Sequence, residues 1–360
     1  MAAPYGTPAD ATEYGIFLPI GSGGWIVSET APHPEATYEY NREAAVLAEA
    51  HGFDFVMSMG KWRGYGGTTA HWEHTLESMT MMAGLAEATE RVKVWATVHT
   101  NLFHPALAAK MFTTLQEISG GRAGMNIVVG AYAREFEQMG LWRRDLDHAD
   151  RYRYTEEWAT ALRRLWTEDS VTMDGEFLQL DDCRSLPHPS PAPTLVGAGR
   201  SPAGLGFQAR HCDGSFLTAQ DLPGLREASR RVKEGAERQG RSIRTYSMLT
   251  VVMDETDAAA QARRAEFGRG ADVEAIVNMK RSWGLPLEKA LSLTADCPAD
   301  EVFQTPFVTG SPETVAERVR ELVVEAELDG LMLIFPDYHA DLRAFGERVM
   351  PLLRPEKALR

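Results

Sequence analysis

Cysteine is scarce in this chain, with three in 360 residues, at positions 183, 212 and 297. An odd, widely spaced set provides no disulfide framework and no metal or redox pair. Core or surface thiols in a reducing cytoplasm are therefore expected. Basic residues are also in deficit: 37 Lys and Arg face 51 Asp and Glu, for a net charge of −14. That argues against a nucleic-acid partner, which needs a basic face to displace counterions. It argues equally against docking on an anionic membrane. No apolar run approaches the ~20 residues that cross a bilayer. The first fourteen residues are small and polar, without the basic and then apolar pattern of a signal peptide. Common catalytic signatures are missing too. The sequence has no Gly-x-Ser-x-Gly elbow, no Walker loop and no Gly-x-Gly-x-x-Gly after an early apolar run.

What is present is a regular alternation. Eight short apolar runs fall at 15–20, 53–59, 92–98, 124–129, 194–198, 214–218, 246–253 and 330–335. Most are continuous in apolar residues, the pattern of parallel strands covered on both faces. Helical periodicity fills most of the gaps. The segment 105–118 opens on Pro105 and stops before Gly120-Gly121. The segment 150–166 places Tyr154, Trp158, Leu162 and Leu165 three and four apart. Further helices are expected at 38–51 and at 311–324. Eight strands alternating with helices predict an α/β fold of the (β/α)8 barrel type, one domain over 1–360. Two stretches exceed the minimal unit. Residues 167–193 read as an inserted hairpin turning at Asp174-Gly175, and 268–308 as a longer insertion. The rival is a doubly wound open sheet, which lacks its dinucleotide fingerprint here.

In such a barrel the chemistry gathers where strands finish. The ends carry Gly21-Ser22-Gly23-Gly24-Trp25, then Met59-Gly60-Lys61 with Arg63, then Thr97, His99 and Asn101. They continue with Asn126 and Gly130, followed by Tyr132, Arg134 and Glu135, and with Gly197-Ala198-Gly199-Arg200-Ser201. The last is an ordinary tight turn or a phosphate cradle of backbone N–H groups aided by Arg200. Lys61 is a solvated lysine or a cation beside an anionic cofactor or intermediate. Asn126 inside an apolar strand must find partners, since an unpaired buried amide costs ~1–3 kcal/mol; it pins a loop or meets a ligand. His99 is a packed or a catalytic histidine, and Trp25 and Trp62 are core or rim aromatics. His71 and His74, three apart, could share a helix face, but the i, i+4 spacing of a zinc site is missing, so no metal site is expected.

Longer stretches make the chain resemble the bacterial luciferase-like flavin monooxygenases, nearest their pyrimidine-oxidising branch. The resemblance runs from about Tyr14 to Leu353. It is carried by Phe17-Leu18-Pro19-Ile20-Gly21, Gly52-Phe53-Asp54-Phe55, Lys61-x-Arg63-Gly64-x-Gly66-Gly67 and Leu76-Glu77-Ser78. Ile118-Ser119-Gly120-Gly121-Arg122, Asn126-Ile127-Val128, Phe136-Glu137-Gln138-Met139-Gly140, Arg151-Tyr152 and Phe345-Gly346-Glu347-Arg348 extend it. The resemblance implies a (β/α)8 barrel that takes reduced FMN (FMNH2) from a separate reductase consuming NADH or NADPH, and reacts it with O2. It implies a flavin N5-peroxide as oxidant, a small amide-like or heterocyclic substrate, and a homodimer or homotetramer. By the same resemblance Met59 and Lys61 lie near the flavin ring. Thr97 and Asn126 contact flavin and oxygen, and Tyr154, Gly199 and Ser201 hold the flavin tail; Arg200, where the family usually has glutamine, is expected to bind the cofactor by adding charge to the same turn. Glu135 matches an acidic residue near the substrate; apart from the resemblance, Trp25 and Tyr132 are expected to help line the substrate pocket. Lys61 is expected to stabilise developing negative charge, and His99 to move protons.

The chain also departs from that pattern. Where the family has Thr-Gly-Trp after the fourth strand, this sequence has Val129-Gly130-Ala131-Tyr132. Losing the tryptophan should reshape the pocket, so a substrate other than uracil is expected. The competing expectations are a deazaflavin-dependent hydride-transfer enzyme on the same barrel, and a flavin-binding protein without activity.

Overall fold

The computed structural model describes residues 12–354 except 131, 220 and 297. Ala131 and Cys297, both singled out above, lie outside the described residues, as does the amino-terminal stretch. Among the described residues there are eleven strands. They are β1 (Glu13–Phe17), β2 (Phe55–Met57), β3 (Lys93–His99), β4 (Ala123–Val128), β5 (Val171–Asp174), β6 (Gln179–Cys183), β7 (Thr194–Ala198), β8 (Gly214–Leu217), β9 (Arg244–Met253), β10 (Phe307–Gly310) and β11 (Gly330–Ile334).

Eight of them run in parallel in the order β9-β11-β1-β2-β3-β4-β7-β8, and β8 pairs back onto β9. That last pairing, Gly214↔Arg244 to Leu217↔Ser247, closes the sheet and excludes the open-sheet rival. Helices follow the strands, among them Tyr38–Ala50, Ser78–Glu87, Pro105–Ile118, Pro202–His211, Leu222–Glu237 and Pro312–Glu325. The architecture is a (β/α)8 barrel. The expected hairpin at 167–193 is present as β5 and β6, antiparallel, turning through Gly175. The stretch 268–308 is mainly helical, with Val273–Ser282, Leu287–Asp296 and Pro298–Glu301. It also leads into a strand that the sequence reading did not separate. β9 is ten residues long, and its outer half, Thr250 to Met253, continues past β11 to pair with β10.

The barrel interior is filled by large rings set against missing side chains. Phe55 stacks on Trp95 at 4.2 Å, and Phe216 and Tyr246 stand edge-on to this pair at 5.6–6.3 Å. Register makes this possible. Gly15 sits opposite Phe55, and Gly124 opposite Trp95. A Cβ on either glycine would fall 2.3 Å from the facing ring. Below the rings a charged residue is buried: Glu13 accepts from Lys93 Nζ at 2.7 Å and from Tyr246 Oη at 2.6 Å. Burial raises the Glu13 carboxyl, but Lys93 and these bonds outweigh it and the net shift is down. Arg122 of the Ser-Gly-Gly-Arg turn is a structural clamp. Its guanidinium donates to the carbonyls of Ser119, Val92, Ala86 and Thr89 and to Thr89 Oγ1.

Among the described residues, no helix is long and apolar enough to cross a membrane, and no cluster of three metal-ligating side chains occurs. Of the described thiols, Cys212 is buried and Cys183 partly so, both free. His71 and His74 do not share a helix. Ala70 and Trp72 have φ of 45° and 57°, which breaks any helix there, and the next helix starts at Ser78.

Candidate functional site

At the carboxyl ends of the strands lies a cavity of about 2000 Å³. Pockets for single drug-sized ligands run roughly 300–1,000 Å³, so this one has room for a cofactor and a second molecule. Its floor is built by register. Thr97 on β3 and Asn126 on β4 are direct neighbours. Asn126 Nδ2 donates to Thr97 Oγ1 at 2.9 Å, and Thr97 Oγ1 donates to the Ser58 carbonyl at 2.6 Å. The Thr97 N–H donates to Ser78 Oγ, which itself bonds Ser58 Oγ at 2.6 Å. Within this network of Ser58, Ser78, Thr97 and Asn126 side chains, the Asn126 carbonyl oxygen, Oδ1, is buried and unpaired. An unmet acceptor here fits a ligand bearing an N–H or O–H donor.

His99 also lines the cavity, its ring against the edge of Phe136. Burial, aided by the Lys61 charge, lowers its pKa to about 3. It is therefore neutral at pH 7 and is not the ordinary near-neutral titrating group that the sequence led one to expect. Met59, Phe216, Met248 and Met332 give the cavity apolar walls.

One end of the cavity is a phosphate-sized turn. Gly199, Arg200 and Ser201 line it, with Tyr152 and Arg151 from the facing helix His148–Leu165. Gln208 Nε2 holds the turn by donating to the Gly199 carbonyl at 2.9 Å, and Ser201 Oγ caps the helix Pro202–His211 by accepting from Gly204 N. A Cβ on Gly199 would sit 3.0 Å from Tyr152 Oη, so the glycine keeps the backbone within reach of that phenol. No carboxylate among the described residues pairs with Arg200. This combination of backbone N–H groups, hydroxyls and an unpaired guanidinium suits a phosphate monoester. The apolar walls and the orphaned Asn126 oxygen suit a flat, hydrogen-bonding ring system. The residues present thus fit a flavin mononucleotide.

The opposite wall comes from loops. Trp62 N donates to Glu135 Oε1 at 2.6 Å, Gln138 Nε2 donates to the Trp62 carbonyl at 2.6 Å, and Arg63 reaches Gln138 Oε1 at 3.1 Å. These bonds clip the Lys61–Gly67 motif to the Phe136–Gly140 motif through Gln138, so two of the motifs that carry the resemblance form one structural unit. Asp272 and Asn278 of the 268–308 stretch hold the same loop, through Thr69 and the Tyr65 carbonyl.

The expected site residues therefore divide. Met59, Thr97, His99, Asn126, Tyr132, Gly199, Arg200 and Ser201 surround one cavity. Lys61, Glu135, Trp25 and Tyr154 are not on its surface. Lys61 is buried, with its ammonium 3.4 Å from Glu135 Oε1 and 2.9 Å from Tyr65 Oη, so the solvated reading of this lysine is excluded. Trp25 lies a layer below, packed on Phe17 and Trp72, and donates to the Leu18 carbonyl. Tyr154 faces a smaller pocket beside Thr100 and Trp142 and donates to the Thr100 carbonyl. Its neighbour Tyr152 takes the place on the main cavity. Sequence reasoning assigned no specific site role to Trp62, Arg134, Tyr152, Asn278 or Arg281, all of which line the cavity. For Tyr152 there was a signal, the Arg151-Tyr152 pair; for Asn278 and Arg281 there was none.

Comparison with known proteins agrees with this geometry. The family model described as luciferase-like monooxygenase matches residues 12–330. The pyrimidine monooxygenase RutA of Methylorubrum extorquens is 37% identical over 354 residues, covering 96% of this chain and 94% of that protein. The solved long-chain alkane monooxygenase LadA superposes with a TM-score of 0.87 at 19% identity, covering 96% of this chain and 92% of its own. An F420-dependent secondary alcohol dehydrogenase gives 0.76 at 18% identity, covering 96% and 99%. The two structural matches establish the shared barrel alone.

Proposed function

The chain belongs to the luciferase-like monooxygenase family, and from that premise we propose that it is a two-component monooxygenase using FMNH2 and O2. In this reading a separate reductase supplies the reduced flavin at the expense of NADH or NADPH. The substrate is a small amide or pyrimidine-like heterocycle other than uracil. The single observation that carries the reading is the unpaired Asn126 Oδ1 on the floor of a cavity with room for a flavin and a second molecule. Reduced flavin, when bound, supplies the electrons that activate dioxygen.

The rest falls to this chain's own groups. The turn at Gly199, Arg200 and Ser201 receives the phosphate, with Tyr152 alongside. Met59, Phe216 and Met332 keep water from the ring. Thr97 Oγ1 donates to Ser58, which fixes the amide of Asn126 so that Oδ1 accepts from a donor on the bound ring. That preorganisation involves no reorientation during the reaction. Neutral His99 can accept a hydrogen bond at the same floor without adding positive charge. The volume of the cavity, together with Tyr132 drawn toward Lys61, 4.8 Å from its ring centre, supports a substrate larger than uracil. Deazaflavin-dependent hydride transfer is favoured only by fold, whereas the relative at 37% identity is named a monooxygenase.

The test supplies FMNH2 from a generic flavin reductase under ¹⁸O2, with uracil, larger cyclic amides and imides as candidates. Label incorporated into a product larger than a uracil derivative is the expected result. Efficient consumption of uracil alone would defeat the substrate reading. No label in any product, with hydride transfer from reduced deazaflavin instead, would defeat the whole reading.

A further inference from the structure

Lys61 is buried behind the cavity wall that Tyr65 and Tyr132 help form, and is not itself on the cavity surface. Its ammonium is enclosed by Glu135 Oε1 at 3.4 Å, Tyr65 Oη at 2.9 Å, and the rings of Tyr65 and Tyr132, whose centres are 4.3 and 4.8 Å away. Tyr65, Tyr132 and Ser282 do line the cavity. We infer that Tyr65 is the group that donates to the substrate's carbonyl oxygen on this wall, and that Lys61 acts on the substrate only through the Tyr65 phenol. The inference rests on the monooxygenase reading above.

The hydrogen-bond accounting leads to it. A lysine ammonium has donors only, so Tyr65 Oη must accept from Lys61. The phenol keeps its own proton to place. Its other near neighbour is Ser282 Oγ at 3.3 Å, which lies 2.7 Å from the Met279 carbonyl. A hydroxyl has one proton, and the shorter contact to the carbonyl takes it. The Tyr65 proton is thus left with a long contact to Ser282 or with an acceptor in the cavity. Donation from the ammonium polarises the phenol and strengthens it as a donor.

The phenol is also held in place. The Tyr65 N–H donates to the His71 carbonyl at 2.9 Å, its own carbonyl accepts from Asn278 Nδ2 at 2.9 Å, and its ring packs on Trp72 and Tyr132. A donor fixed on the cavity wall and charged from behind selects a ligand with a carbonyl oxygen aimed at it.

The probes are uracil and phthalimide, with wild type, Tyr65→Phe, and Lys61→Met made in a Glu135→Gln background so that no lone charge is buried. Tyr65→Phe keeps the ring and its packing. It should lower kcat/KM on whichever carbonyl probe is oxygenated by at least tenfold, while the Kd for reduced FMN stays within twofold. The Lys61→Met change should cost tenfold when Tyr65 is present and less than twofold in Tyr65→Phe. Unchanged kcat/KM in Tyr65→Phe, or the same Lys61 cost in both backgrounds, would overturn the inference. Reduced FMN binding and oxygen reaction with neither probe accepted by wild type would overturn the carbonyl assignment while the monooxygenase reading stood. No binding of reduced FMN would remove that reading and this inference with it.

Discussion

Replacing Asn126 by leucine separates a functional amide from a structural one. The side chain makes one hydrogen bond, Nδ2 to Thr97 Oγ1 at 2.9 Å, and leaves Oδ1 buried and unpaired. Leucine is close in shape. Loss of the bond should cost about 1 kcal/mol, and removal of the unsatisfied acceptor should return about 1–3 kcal/mol. Thr97 is not orphaned, because Oγ1 still donates to the Ser58 carbonyl. The net change is therefore between zero and about 2 kcal/mol of added stability. For a chain of this length the unfolding entropy makes that a rise in Tm of roughly 1 °C per kcal/mol. Guanidinium unfolding gives the free energy and flavin titration the function. The account expects a variant at least as stable as the parent that oxygenates its substrate at least tenfold less well. A loss of more than about 2 kcal/mol of stability would show that the amide supports the fold, and the reasoning from its orphaned oxygen would fail.

Three further outcomes follow from the same structure. Lys61→Met leaves the Glu135 carboxylate buried without its cation, which should cost about 3–5 kcal/mol in urea unfolding; adding Glu135→Gln should recover most of it, and failure to recover would mean the pair is not the cause. Burial lowers the pKa of His71, like that of His99, to about 3, below the unfolded value near 6.5. Both folded values are depressed, so the stability tied to these neutral rings is full above about pH 6.5 and is lost as pH falls from there toward 3, by roughly 1.4 kcal/mol per pH unit for each; His71→Leu should remove its share of that slope, and an unchanged slope would contradict the assignment. Arg122→Lys cannot satisfy the four carbonyls and one hydroxyl that the guanidinium serves, and should cost about 2–4 kcal/mol without changing the affinity for reduced FMN.

The barrel was legible because its physics is local. Residues 194–198 and 105–118 form the expected strand and helix to the residue, the first a continuous apolar run and the second opened by a proline at the first helical position. The first strand starts two residues earlier than expected, at Glu13. A carboxylate does not read as core, and Lys93, Tyr246 and Arg244, all distant in sequence, make its burial tolerable. The short β10, at the end of the expected 268–308 insertion, went unread because four residues, Phe307–Gly310, give no periodicity.

The site was legible where strand register sets it. Thr97 lies near the end of one apolar run and Asn126 inside the next, and the parallel register of the two neighbouring strands pairs them. Tyr154 and Tyr152 are two positions apart on one helix, which turns about 200° between them. The spacing of Tyr154 with Trp158 and Leu162 already placed it with the residues that pack inward. The Lys61, Tyr65 and Glu135 cluster depends on two loops and an insertion packing together, and no local rule of sequence reports that. His71 and His74 misled because their spacing suits a helix, while the backbone at Ala70 and Trp72 takes left-handed values instead.

The central claim is that this cavity holds reduced FMN and lets it react with oxygen. Anaerobic titration with FMNH2, followed by an oxygen pulse under stopped-flow absorbance, tests it most directly. The account predicts saturable binding, then a transient spectrum unlike that of either reduced or oxidised flavin, weakened in both respects by Asn126→Leu. Absence of binding, or oxidation at the rate of free flavin with no transient, would contradict it.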